Sequence, residues 1–165
     1  MSDLRRAGTG LAKGLLVGLC ATQALDWVSI LIYEGEAGAT RAAEDRARGY
    51  RHAYEVAVAR LASYAGKRLT EDQVTRWAWR FHKTFGVLSG VAYLKLRRAF
   101  PRLQRGCGLA FGAAFFLIGD ELMIPLLRLT PGPLAFSWKV HARGAAAHVA
   151  YGVAAEATAR LLDAR

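Results

Sequence analysis

The sequence has few of the residues that covalent or metal-assisted chemistry requires. Its only two cysteines, Cys20 and Cys107, are far apart and form no CxxC pair, so we expect them to pack rather than to bind a metal. No G-x-S-x-G, H-E-x-x-H or phosphate-binding glycine loop is present. The sequence offers no catalytic residue and argues against an enzyme, and neither a metal nor another cofactor is expected.

Acidic residues are also scarce, with 13 Asp and Glu against 23 Lys and Arg, for a formal net charge of +10. Such a surplus on a soluble protein would suggest a nucleic-acid partner. Here the basic residues cluster at the ends of apolar segments, where membrane topology explains them. We therefore expect no nucleic-acid partner, and we interpret one basic cluster as a cytoplasmic loop rather than a phosphate-binding patch. Its members are Arg97, Arg98, Arg102 and Arg105.

Apolar residues make up 53% of the chain and charged residues 22%, as in many soluble proteins, but the apolar residues are grouped. A membrane span needs about 20 such residues, whereas shorter runs also occur in soluble helical cores. Allowing one or two polar residues in each, we predict an all-α fold with four transmembrane helices in a single membrane domain. The predicted spans are residues 10–33, 77–96, 106–127 and 136–162. The fourth is the weakest, because Lys139, Arg143 and Glu156 interrupt it.

Prolines are few and fall at the ends of these segments. Pro101 separates the second span from the third, and Pro125 predicts a kink near the end of the third. Residues 40–64 are charged but carry Tyr50, Tyr54 and other apolar side chains at helical spacing. They predict one additional amphipathic helix that covers the mouth of the bundle.

Lys and Arg counts in short loops predict the orientation. Arg5, Arg6 and Lys13 accompany the first span, and the basic loop follows the second. Both termini are therefore predicted to be cytoplasmic, with residues 34–75 outside. The first apolar segment is long and is not followed by a clear small-x-small cleavage motif. Both features favour a retained helix over a cleaved signal peptide.

Glycines recur every four residues in three of the predicted spans. Small residues let helix backbones approach closely, which predicts a tight bundle or packing against a membrane-protein partner or a second copy of the chain. The glycines concerned are Gly14, Gly18, Gly86, Gly90, Gly108 and Gly112.

Ionisable residues also lie inside the apolar segments. With a rise of about 1.5 Å per residue, they fall at similar depths in the outer half of the bundle, which predicts a buried network of acids and imidazoles. The predicted members are Asp26, His82, Asp120, Glu121 and His148. This network could fix helix register, could form a titratable relay or small-ligand site, or, least favoured, could ligate a haem or metal through His82 with His141 or His148.

From residue 82 onward a series of motifs follows one another at fixed spacing. They are His82, Phe100-Pro101, Gly108, Gly112, Pro125-Leu126, Leu129-Thr130-Pro131, Trp138, His148 and Glu156. In these features the chain resembles the YagU-like bacterial inner-membrane proteins, a family of unknown function. Asp120 replaces a histidine of that pattern, and Gly144 replaces an acid. The polar site of this chain would therefore differ from that of the family in its ionisable groups. The resemblance implies a multi-pass protein of the bacterial inner membrane, and it implies no reaction.

Two functional hypotheses follow. The first is a structural or accessory membrane bundle that is held together by its acid–histidine network. The second is a proton-responsive protein, or one involved in small-solute transport, that uses the same residues. In both, the lipid bilayer is the expected surrounding.

Overall fold

The computed structural model describes the backbone of residues 2–163 and the side chains of residues 8–163. Over this range the chain contains helices and no strand, which confirms the all-α prediction. The helices are α1 (Ser2–Gly35), α2 (Gly38–Ala47), α3 (Ala53–Tyr64), α4 (Glu71–Ala99), α5 (Leu109–Leu126) and α6 (Trp138–Asp163). Arg5 and Arg6, which entered the orientation argument, lie outside the described side chains.

The four long helices pack as a bundle. Helix α1 lies against both α4 and α6, and α5 packs on α6. Their shared core combines aromatic and small side chains. Tyr93, Phe111 and Tyr151 are surrounded by small and aliphatic residues of α1 and α6. The buried Tyr151 hydroxyl donates to the Gly86 carbonyl at 2.6 Å, so the core contains a satisfied polar contact between α6 and α4.

All six glycines of the four-residue repeats lie at helix–helix contacts within the chain. Gly14 and Gly18 face α4, where a Cβ on Gly14 would come within 2.8 Å of the Val91 Cα atom. Gly86 and Gly90 face α1 in return, and Gly108 and Gly112 face α6. Glycine allows these backbones to approach more closely than any side chain would permit. These glycine faces are therefore occupied within the chain.

The prediction of one helix over residues 40–64 was wrong, because the chain turns between α2 and α3. Gly49 and Tyr50 both adopt left-handed backbone conformations, with φ of 68° and 60°. Left-handed residues end a helix, and a new N-terminus forms where the Glu55 carboxylate accepts from the His52 backbone N–H at 2.9 Å. Tyr50 is consequently 73% exposed and does not share a buried face with Tyr54.

Helix α5 begins at Leu109 rather than at Gly106, because residues 106–108 form a left-handed turn. It is α-helical to Phe116 and then widens into a π-helical segment, Leu117–Met123. Pro125 lies in its last turn. The predicted irregularity is therefore present, but it begins before the proline and includes Asp120 and Glu121.

Two helices are long and apolar enough to cross a membrane, Gly8–Gly35 and Leu109–Leu126. Only 28% and 17% of the most apolar 18-residue stretches of these two helices are buried. The core helix of a soluble protein, in contrast, is mostly buried. Helices α4 and α6 are not among these candidate spans. Both cysteines, expected to pack, are exposed on the surface of the described chain.

Candidate functional site

A cavity of about 300 Å³ lies between α1, α4, α5 and α6 at one end of the bundle, and the α2–α3 connection borders its mouth. All four histidines of the chain line it: His52, His82, His141 and His148. Its other charged lining residues are Glu44, Arg48, Asp120, Glu121 and Arg143. A concave site with several titratable groups among aromatic and apolar side chains is the usual form of a ligand pocket.

Asp26 and His82 form the first acid–histidine pair. Asp26 on α1 is buried, and the His82 Nε2 atom on α4 lies 2.8 Å from its Oδ1 atom. The Lys83 ammonium contacts the second carboxylate oxygen. Asp26 lines an adjacent cavity of about 450 Å³, and His82 lines both cavities. Lys83 was not predicted from the sequence to belong to the site, although its position next to His82 could have indicated it.

The two acids of the π-helical segment face two different histidines of α6. Glu121 accepts from the His141 Nδ1 atom at 2.6 Å, while the His141 Nε2 atom donates to the Pro133 carbonyl at 3.0 Å. Both ring nitrogens of His141 thus lie within hydrogen-bond distance of oxygen atoms, which fixes the orientation of the ring. His141 was not among the five predicted members of the network, although its depth was compared with theirs and it was considered as a haem or metal ligand.

Asp120 and His148 are less tightly joined. The His148 Nδ1 atom donates to the Gly144 carbonyl at 2.9 Å and lies 3.7 Å from an Asp120 oxygen. Among the described residues, Asp120 accepts no hydrogen bond, so its carboxylate is available to a cavity ligand. The five predicted residues thus lie around neighbouring cavities as two pairs, Asp26–His82 and Asp120–His148, with Glu121 paired to His141 instead. Among the described side chains, no continuous hydrogen-bonded chain joins them.

Arg143 forms a further cluster that the sequence analysis did not assign to the site. It is buried and donates to Glu36 at 2.7 Å and to Glu44 at 2.5 Å. Its guanidinium carbon lies 5.1 Å from the centre of the Tyr33 ring, and Arg48 also contacts Glu44. The position of Arg143 inside an apolar segment could have indicated a buried, paired charge. We had interpreted it only as an interruption of the fourth predicted span.

Not every buried polar atom of this cluster is paired. Within the described chain, one oxygen of Glu36, one of Glu44 and the Arg48 Nε atom have no hydrogen-bond partner. Buried polar groups normally have one, and Glu44 and Arg48 both line the cavity. These atoms are enclosed by their neighbours, so the Arg143 cluster has more buried charge than its hydrogen bonds satisfy.

At the cavity mouth, outside the long helices, His52 and Tyr54 lie beside the charged groups. Arg48 donates to the His52 Nδ1 atom at 2.6 Å. Partial burial, followed by the Arg48 charge, lowers the pKa of His52 below its ordinary value. Burial also raises the pKa of Tyr54, with a further contribution from Asp120, so Tyr54 stays a neutral hydrogen-bonding group.

We expect α3 to loosen as the pH falls below 6.5, the ordinary value for histidine. Because the folded-state pKa of His52 is lowered, the fold favours the neutral ring, and this stabilisation is lost as the ring is protonated. Protonation at Nδ1 also removes the acceptor for Arg48. Hydrogen exchange of residues 53–64, corrected for its intrinsic pH dependence, should rise severalfold between about pH 7.5 and about pH 5.5.

The matched control is His52→Gln, which keeps an acceptor for Arg48 and cannot titrate in this range. Its exchange should change little between the two pH values. An equal rise in the variant would show that another group is responsible.

The opposite end of the bundle holds a separate polar cluster around Glu156, which is fully buried. Tyr93 donates to it at 2.5 Å, Arg160 at 2.7 Å and Arg97 at 3.3 Å. Arg97 also donates to Asp163 at 2.8 Å. These contacts connect α4 to α6 through a fully buried carboxylate, so we interpret this cluster as structural.

No protein-family model, curated protein or solved structure matches the chain. The relation to the YagU-like proteins therefore stays a prediction from the residues quoted for it. Among the side chains of residues 8–163, no three from His, Cys, Asp or Glu are placed to hold one metal ion. The histidine nitrogens face carboxylates, backbone carbonyls and Arg48 instead.

Proposed function

We propose that the protein is a multi-pass helical bundle of the bacterial inner membrane whose histidine-lined cavity binds a small polar solute and responds to protons. The observation that carries the proposal is the gathering of all four histidines around one cavity. Histidine is the side chain whose charge changes near neutral pH. A volume of about 300 Å³ lies at the lower end of the range for ligand pockets, which favours a small solute.

The lengths of α4 and α6 support four spans rather than two. They contain 29 and 26 residues, or about 43 and 39 Å of helix, enough for a hydrocarbon core about 30 Å thick. The charges that lower their hydropathy include Arg143 and Glu156, which are buried and paired. Polar groups in membrane helices usually face the bundle interior in this way.

Asp120 and His148 are the pair that we propose to be responsive. Asp120 has no hydrogen bond within the described chain, and His148 lies 3.7 Å away. A proton or a cationic group entering the cavity would therefore meet a carboxylate that is not already occupied. Asp26 and Glu121, in contrast, accept from His82 and His141.

The alternative is a structural or accessory bundle. The Glu156 and Arg143 clusters favour it, because each connects two or more helices through buried ion pairs. The glycine repeats no longer favour a partner, since they pack within the chain. In this alternative the cavity histidines serve only to hold helices together, and His148→Ala would be tolerated.

The test is the decay of an imposed pH gradient across vesicles that contain the purified protein. Wild-type vesicles should lose the gradient faster than protein-free vesicles. His148→Gln and Asp120→Asn should each reduce the excess rate about tenfold, equivalent to about 1.4 kcal/mol in a barrier. The control is Asp72→Asn, since this exposed carboxylate forms no ion pair with a described residue and lies away from the cavity.

Wild-type vesicles as tight as protein-free vesicles would contradict the proton-responsive proposal and favour the accessory alternative. A similar loss in Asp72→Asn would show that the variants act through insertion or folding. The amount of protein inserted and its melting temperature are measured for every variant to separate these outcomes.

A further inference from the structure

We propose that the end of the bundle opposite the histidine cavity carries a binding surface for anionic lipid headgroups. The surface, called here the basic rim, consists of the side chains at the end of α4 and in the short helical turn that follows it. Its members are Lys95, Arg98, Arg102 and Arg105. The three arginines belong to the cluster that the sequence had led us to interpret as a loop rather than a phosphate-binding patch, and we revise that interpretation. The inference is independent of the cavity and of any solute it binds.

The basic rim is exposed and lacks counterions. All four side chains are exposed, and none forms an ion pair with a described residue. The sequence contains no acidic residue between Asp72 and Asp120. A group of like charges without compensation is a site to which an external anion can bind.

The two described acids at this end of the bundle already have partners. Glu156 is buried under Arg97 and Arg160. Asp163 pairs with Arg97 and Lys13. Neither acid forms an ion pair with the rim, so among the described side chains the charge of the rim is uncompensated.

The backbone that carries the rim is ordered by local hydrogen bonds. Gln104 donates its side-chain amide to the Arg97 carbonyl at 2.9 Å, and the Leu103 N–H donates to the Phe100 carbonyl at 3.0 Å. These bonds close the turn directly after α4. The arginines therefore project from a defined turn, and less entropy is lost when they bind than in a flexible loop.

Exposed apolar side chains adjoin the basic residues, and they favour a lipid over other anions. Phe100 is 61% exposed, and Leu96 and Leu109 are also exposed. Guanidinium groups bind phosphate oxygens through paired N–H donors, while neighbouring aromatic and aliphatic groups contact acyl chains at the interface. A phosphate group attached to an acyl chain matches both features.

The experiment measures lipid selectivity by native mass spectrometry of the full-length protein in detergent with an equimolar mixture of phosphatidylglycerol and phosphatidylcholine. The wild-type protein should retain phosphatidylglycerol in preference to phosphatidylcholine. The triple variant Arg98→Gln, Arg102→Gln, Arg105→Gln should lower the ratio of bound phosphatidylglycerol to phosphatidylcholine by about tenfold or more. The matched control is Arg68→Gln with Arg76→Gln, two exposed arginines away from the basic rim.

Three results would overturn the proposal. Wild type could show no preference for phosphatidylglycerol, the control could lose as much preference as the triple variant, or the triple variant could keep it. A further arm adds millimolar inorganic phosphate to the wild type; complete displacement of the lipid would assign the surface to free phosphate instead. Melting temperatures in phosphatidylcholine confirm that the variants are folded.

Discussion

Gly18→Ala is expected to destabilise the bundle by about 3 kcal/mol or more, the upper part of the range for overpacked cores. A Cβ atom on Gly18 would overlap the Val87 carbonyl oxygen and would lie 2.7 Å from the Val87 Cα atom. These are backbone atoms inside α4, and they cannot move unless the whole helix moves. The free energy of unfolding, measured by denaturant titration in mixed micelles, tests this expectation.

The matched control is Gly10→Ala in the same helix. A Cβ at Gly10 meets nothing within 4 Å, so this change alters helix propensity without altering packing. It should be neutral or stabilise by about 0.5–1 kcal/mol. If the two alanine variants had equal stability, the close approach of α1 to α4 would be wrong. Gly90→Ala, on the opposite side of the same contact, should be as destabilising as Gly18→Ala.

Glu156→Gln is expected to cost about 3–5 kcal/mol, because it removes one partner of a buried ion pair and leaves the other buried. The Arg97 side chain is 12% exposed and would lose its buried counterion, keeping only the half-exposed Asp163, whereas Arg160 is 55% exposed and can turn to water. The free energy of unfolding and the melting temperature measure the loss.

The control is Asp163→Asn, which removes the other acid that contacts Arg97. The Asp163 side chain is 50% exposed, so this change should cost less than about 1 kcal/mol. Combining Glu156→Gln with Arg97→Met should recover part of the loss, because the stranded charge is then absent. Additive losses in the double variant would contradict the interpretation of these residues as one buried pair.

The sequence predicted the long helices well because their signals are local. Apolar segments and prolines both act within a few residues of where they occur. The break within residues 40–64 was missed because Tyr50, a non-glycine residue, adopts a left-handed conformation. The π-helical segment was missed for a related reason, since a wider turn has no simple residue pattern.

The candidate site was predicted only as a set of residues. The similar depths of Asp26, His82, Asp120, Glu121 and His148 follow from counting along helices, and the structure places them around neighbouring cavities. Their pairing could not be obtained by counting, because rotation of each helix about its axis depends on packing. For that reason His141 and Arg143, which complete the site, were not assigned to it.

The sequence by itself determined that the chain is helical, that its apolar residues are grouped into long segments, and that its buried polar residues are acids and histidines. Helix periodicity, proline and charge placement are properties of short stretches, so they can be recognised without knowledge of the fold. Only the tertiary structure decided which glycines meet which helix, which acid pairs with which base, and that the four histidines share one cavity. These relations join residues that are distant in the chain, and close packing selects one arrangement among the many that local signals allow.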